Sequence, residues 1–201
     1  MNATIQELRE AIANIGARMF SRRLTDSAGG NISVRVDDHI LMTPRYAGSR
    51  HNWQLSPEQI LVFDLQANKL EGNGDISREY QVHFALLKSL YPMGTAVLHG
   101  HALNALVFCA VGKPIPPVLD SAGKLGEVGL VPHAPAHSAE LAGHILSALQ
   151  PQSERVRQYA AAVLAPRHGV FILAKDLLAG YDALERVDVI AYCALMSKLI
   201  S

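Results

Sequence analysis

The stretch AVLHGHALNALVF, residues 96–108, carries His99 and His101 one residue apart in an apolar run that reads as a buried strand passing directly into a helix. Nine histidines in 201 residues give about 0.4 H-x-H pairs by chance, so the pair gains meaning only from what converges on it. On a strand, side chains two residues apart share a face, with Cα atoms about 6.5–7 Å apart, and both rings can reach one metal ion. Gly100 between them leaves the opposite face free of bulk. A four-coordinate site needs at least one further ligand from elsewhere in the fold. His168 is the best candidate: it stands where the runs AAVLAP and GVFILA meet, next to Gly169, where a backbone can come close.

The surrounding pattern is that of a layered α/β chain. Thr4 and Glu7 form a capping box ahead of helically spaced Ile5, Leu8, Ile12, Ile15 and Met19, and that helix ends near Arg22-Arg23. Residues 31–43 read as a hairpin, 44–56 as a loop and 61–65 as a strand. Ser77 is positioned to cap a helix through about Leu90, and residues 128–132 read as a strand. Ser138 caps a helix to about Leu149, two strands follow, and the pattern from Leu177 onward is helical. Irregular alternation with short turns predicts a three-layer α/β/α domain with a central mixed, largely antiparallel sheet, in one domain spanning 1–201.

Composition narrows the function. Eighteen basic and eighteen acidic residues cancel, so nothing points to nucleic acid or an anionic membrane surface. Cys109 and Cys193 lie in apolar helical patterns and read as reduced, buried thiols. The N-terminus has acidic residues where a signal peptide needs a continuous apolar core, and AAAVLAPRHGVFILA is broken at residues 166–168. The expectation is a cytoplasmic protein without a membrane span.

Glu79 is the best acidic candidate, in the first turn of the helix before the histidine strand, although an acid there also stabilises a helix dipole without any chemistry. His133 and His137 are four apart, but Pro135 breaks the helix that would align them, and they are set aside. His39, His51, His83 and His144 read as surface or satisfied core groups.

GGNISVR near the start, a T-P turn after a hairpin, S-x-E opening a helix, H-x-H on the next strand and a late H-G together resemble the class II aldolase/adducin family. The resemblance covers almost the whole chain. It implies the class II aldolase-like fold, with His99, His101 and His168 as ligands of a divalent metal, usually zinc, with Mn2+ or Co2+ as alternatives. Glu79 matches the family's acidic residue, an acid/base that can also ligate the metal. The implied activity is a carbon–carbon lyase of the aldehyde-lyase type, acting on a small sugar phosphate or related acidic ketose through a metal-stabilised enediolate.

In sugar-phosphate members of the family the phosphate is held by a G-N turn, a T-x-S-G turn and a pair of serines. Gly30, Asn31 and Thr43 match; Arg45 stands at the usual serine of the second turn, and the serine pair is Ser77-Arg78. Either Arg45, Arg50 or Arg78 replaces the lost hydroxyls at a phosphate, or the site takes a carboxylate. Near the position of the family's proton-donating tyrosine, which reaches in from a neighbouring subunit, PPVLD places Asp120, which reads equally as a proton donor or as a helix cap in DSAGKLGE; this leaves aldol cleavage, epimerisation, dehydration and decarboxylation open. Two other readings are a non-catalytic adducin-like scaffold, against which the retained histidines and Glu79 argue, and a zinc hydrolase with the same ligands. Family members are homotetramers with active sites between subunits, which is the assembly expected for this chain.

Overall fold

A computed structural model describes residues 4–200; residues 1–3 and 201, the extremes of the expected 1–201 span and of the leader reading, lie outside the described residues. Helix α1 (Ile5–Ser21) opens with the expected capping box: the Thr4 hydroxyl accepts from Glu7 N at 3.2 Å and Thr4 N donates to Glu7 at 2.7 Å. Strands β1 (Asn31–Val36) and β2 (His39–Met42) form the hairpin, and a short helix α2 (Ala47–His51) sits within the stretch read as loop. Strands β3 (Leu61–Asp64) and β4 (Lys69–Glu71) precede helix α3 (Tyr80–Ser89). Strand β5 (Ala96–Gly100) runs into helix α4 (Leu103–Val111), and α5 (Ala139–Leu149) and α6 (Ser153–Gln158) follow. Strands β6 (Ala160–Ala165) and β7 (Gly169–Ala174) and the long helix α7 (Leu177–Ile200) complete the chain.

The strands make one seven-stranded sheet in the order β4-β3-β2-β1-β5-β7-β6, each neighbouring pair antiparallel. Residues 128–132, read as a strand, instead contribute two isolated bridges. Ile115 pairs with Val128, and Leu130 pairs in parallel with Leu164, covering the edge of β6. The sheet is therefore mixed but overwhelmingly antiparallel, as the pattern implied.

Helices cover both faces, which explains why β6 and β7 are buried along their full length and read as continuous apolar runs. Ala96 and Leu98 of β5 and Val170, Ile172 and Ala174 of β7 pack with α1, α4 and α7. Val97, Phe171 and Leu173 point the other way, against α3, α5 and α6. The two-residue alternation thus divides the apolar residues into two cores. Cys109 and Cys193 are both free, and burial pushes the Cys109 thiol up to about 12, far from reactive. Among the described residues no helix is long and apolar enough to cross a membrane.

The register puts the first residue of β1, the last residues of β5 and the first of β7 side by side: Asn31 opposes His99, and His99 opposes Phe171. At this corner Gly100 is packed so tightly that a Cβ would lie 2.5 Å from the Leu24 carbonyl oxygen and 2.9 Å from a Leu184 methyl. Gly100→Ala is expected to destabilise the protein by about 1–3 kcal/mol, the usual result of overpacking. Urea denaturation measures this directly, and an unchanged midpoint would contradict the packing described.

Candidate metal centre

His99 sits on the α3/α5 face of the sheet, stacked on its cross-strand neighbour Phe171 with ring centroids 4.1 Å apart and planes 10° from parallel. Its Nδ1 donates to the Val170 carbonyl oxygen at 3.0 Å, so Nε2 keeps a free lone pair. His101 lies just past the end of β5. Its Nδ1 faces the Asp26 carboxylate at 3.1 Å, again leaving Nε2 as the acceptor atom. Asp26 is itself fixed by accepting from Ala28 N and Gly29 N, an Asx turn in T-D-S-A-G-G. A carboxylate that orients an imidazole in this way is the usual support of a metal-ligating histidine.

His168 occupies the tight turn between β6 and β7, where His168 N donates to the Ala165 carbonyl oxygen. The turn can approach the other two rings because the next residue is Gly169. A Cβ there would stand 2.7 Å from the Gly100 carbonyl oxygen and 2.9 Å from the His99 ring. One nitrogen from each of His99, His101 and His168 lies within 4.8 Å of the others. Three residues distant in sequence thus form a compact all-nitrogen donor set.

Glu79 is the N-cap residue of α3 rather than a residue of its first turn, with Ser77 two residues ahead accepting from its backbone N–H at 3.3 Å. It is buried, with Oε1 3.2 Å from His168 Nε2 and 2.7 Å from His137 Nδ1. Neither imidazole aims an N–H along a hydrogen-bond direction, so both carboxylate oxygens lack a hydrogen-bond partner. Burial raises the affinity of this carboxyl for a proton, but the close approach of His168 and the positive charge that His168, His137 and His83 can carry outweigh it, holding Glu79 below the usual carboxylate range.

These groups line a cleft of about 260 Å³. Seven buried side-chain polar atoms among the described residues have no hydrogen-bond partner, and six belong to residues of this cleft: Arg45 Nε, both Glu79 oxygens, His101 Nε2, His137 Nδ1 and His168 Nδ1. Buried polar atoms are normally satisfied, so their concentration at one place marks it as built for a bound species. Three imidazole donors beside a carboxylate suit a divalent cation such as zinc.

Of the residues expected at a substrate, Gly30, Asn31, Arg45, Ser77 and Arg78 all line the cleft. Thr43 does not: it is fully buried, and its hydroxyl accepts from Ile32 N at 3.1 Å, holding the β1–β2 hairpin. Arg50 is also outside, its guanidinium 4.2 Å from the centroid of the Tyr46 ring. Asp120 is exposed at the start of a 3-10 turn (Asp120–Lys124) and takes no part in the cleft of its own chain.

The dismissal of His137 requires correction. No helix connects it to His133, which is exposed beside a different cleft. A tight turn from Pro135 to Ser138, closed by Ser138 N donating to the Pro135 carbonyl oxygen, instead swings His137 onto Glu79. Its position in that turn requires a left-handed backbone, φ 68°, at a cost of about 1–3 kcal/mol in a residue other than glycine. The only sequence signal was the P-x-H-S turn, read as a helix breaker. Asp26 was missed as well, because an Asx turn gives no hint of what its second oxygen faces.

His83 is the satisfied core group the pattern suggested: fully buried, with Nδ1 2.6 Å from Ser33 Oγ and Nε2 2.5 Å from Asn31 Oδ1. Burial pushes its pKa down to about 3 and, with the charges of His168 and His101, pushes that of His99 well below 6.5. The unfolded chain, where these rings titrate near 6.5, therefore binds more protons as pH falls below that value. For His83, stability present above about pH 6.5 is lost on acidification toward about 3, at up to about 1.4 kcal/mol per pH unit, and His99 adds to the loss in the same direction. The metal-free protein should show a falling urea midpoint between about pH 7 and pH 5, shallower in His83→Gln; a flat profile would show the rings are not held neutral.

Residues 10–195 match the family described as Class II Aldolase and Adducin N-terminal domain. The chain is 26% identical over 194 residues to an L-fuculose phosphate aldolase of Methanocaldococcus jannaschii, covering 96% of this chain and 98% of that protein. It is 30% identical over 187 residues to a 3-oxo-tetronate 4-phosphate decarboxylase of Haemophilus influenzae, covering 90% of this chain and 83% of that one. A solved L-fuculose 1-phosphate aldolase superposes with a TM-score of 0.81 over all of this chain and 90% of its own, at 21% identity, which is a likeness of fold.

Proposed function

This chain belongs to the class II aldolase and adducin N-terminal domain family, and on that premise we propose that it is a zinc-dependent carbon–carbon lyase acting on a small sugar phosphate or related acidic ketose. The observation that carries the reading is the convergence of His99, His101 and His168 within 4.8 Å, with the buried carboxylate of Glu79 beside them. These residues would hold the metal, with Mn2+ or Co2+ as substitutes for zinc. When bound, a divalent ion supplies Lewis acidity that polarises a carbonyl and steadies negative charge on the neighbouring carbon.

The rest of the chemistry belongs to the chain. Glu79 Oε1 carries the proton to and from the substrate carbon beside the carbonyl, its affinity tuned between burial and the neighbouring imidazoles. Val170 and Asp26 engage Nδ1 of His99 and His101, so Nε2 is the atom each ring offers to a metal. Arg45 and Arg78 line the same cleft, and both the fuculose phosphate aldolase and the tetronate phosphate decarboxylase are named for phosphorylated compounds, which supports an anionic substrate. Decarboxylation is the second reading, favoured by the 30% identity to the decarboxylase; it too breaks a carbon–carbon bond and leaves charge beside a carbonyl.

The test combines metal analysis with a substrate panel. Purified protein should carry a divalent ion that His99→Ala largely loses, since affinity follows ligand count and geometry. Glu79→Gln should keep the ion and lose about 10²–10⁴-fold in kcat, the usual weight of a general acid–base group. Release of an aldehyde marks aldol cleavage and release of carbon dioxide marks decarboxylation. Equal turnover of neutral, unphosphorylated sugars would overturn the anionic-substrate reading.

Asp120 does not line the histidine cleft of its own chain, so a role as proton donor needs Asp120 of the partner subunit in a homotetramer with sites between copies. Light scattering is expected to give a tetramer; a monomer at all concentrations would remove Asp120 from the mechanism.

A further inference from the structure

Beside the imidazole cluster runs a buried line of polar side chains: Ser33, His83, Asn31 and Ser77. All four are buried, and only Asn31 and Ser77, at one end, line the cleft. We propose that His83 is a positioning residue that sets the direction of this hydrogen-bond line, so that its cleft end presents the Ser77 hydroxyl hydrogen to the anionic group of the substrate. The inference rests on the anionic substrate proposed above and adds what makes the cleft a donor rather than an acceptor.

Counting donors and acceptors decides the direction. Asn31 Nδ2 donates to Ser77 Oγ at 3.0 Å, so Asn31 Oδ1 is the atom that faces His83 Nε2. A carbonyl oxygen only accepts, hence Nε2 carries the ring hydrogen and Nδ1 is the acceptor. The Ser33 hydroxyl then donates to Nδ1, which is its partner at 2.6 Å. At the other end, Ser77 Oγ accepts from both Asn31 Nδ2 and Glu79 N, which occupies its two lone pairs and leaves its hydrogen free for the cleft. The reversed line places a hydrogen on Nδ1, turns the Asn31 amide round and directs the Ser77 hydrogen inward. It also leaves the Ser33 hydroxyl hydrogen, fully buried, without an acceptor among the described residues. Only one direction satisfies every group, and it ends on a donor.

The ligand this suits is an oxyanion, phosphate or carboxylate. Inorganic phosphate and acetate, bound to the metal-loaded protein and followed by calorimetry, separate the two. Removing the ring with His83→Leu leaves Asn31 Oδ1 unsatisfied and free to turn. The expected result is a loss of about 10- to 100-fold in affinity for whichever anion wild type binds, the weight of one hydrogen bond to a charged group. KM for the substrate should rise in step, with little change in kcat or metal content. His83→Gln, whose amide N–H can replace Nε2–H, should restore most of the affinity. In a Ser77→Ala background the His83→Leu change should have little further effect, a coupling that a merely structural role would not produce. Nitrogen-15 NMR of the wild-type ring should show Nε2–H with Nδ1 unprotonated, a readout independent of any variant's folding.

A ring protonated at Nδ1 overturns the inference, as does a folded His83→Leu that binds the anion like wild type. In both cases the anionic-substrate reading stands. A wild type that binds neither phosphate nor acetate overturns that reading and the inference with it.

Discussion

The structure depends on the pairing of β1, β5 and β7 at one corner of the sheet, which sets Asn31, His99 and Phe171 in a row on one face. A slip of one residue in β5 would turn His99 toward the core under α1, α4 and α7, with no partner for its ring and no route to His168. The stacking on Phe171 and the hydrogen bond to Val170 hold that register from the side-chain end as firmly as the ladder holds it from the backbone. His101 and His168 lie just beyond the ends of β5 and β7, close enough to the same corner to meet over it.

Around that corner several features that cost stability occur together. Buried polar atoms without partners, a left-handed histidine and a carboxylate set among imidazoles all occur within one cleft. Each costs stability, and two fully formed apolar cores on either side of the sheet offset them. Such concentrated departure from local rules is expected where a site is organised for binding rather than for folding. Glu79 illustrates the balance: burial alone would favour its neutral acid, and the imidazoles on two different loops keep it an anion.

Much of this was legible in the residues themselves. The strand AVLHG, the R-H-G turn between two apolar runs and the S-x-E helix start each read locally, so the three imidazoles and Glu79 could be named together. What escaped was whatever depends on a turn's direction. His137 was set aside because Pro135 forbids a helix; the same proline opens the tight turn that brings the ring to Glu79. Thr43 matched the family's pattern and Arg50 and Asp120 were candidates where the chain departs from it, yet one is beneath a hairpin, one is stacked on Tyr46 and one is exposed on another part of the chain.

By itself the sequence determined the two-faced apolar pattern, the helix starts, the largely antiparallel sheet and which side chains are able to bind a cation, because these follow from side-chain period and chemistry within short windows. The tertiary structure alone decided that Asp26 orients His101, that His137 rather than His133 meets Glu79, and that a buried serine and histidine lie behind the Asn31 amide. The reason is physical. Periodicity says which face a residue takes, but contacts between residues about 50 to 75 positions apart depend on sheet register and loop direction, which only the packing of the whole chain settles.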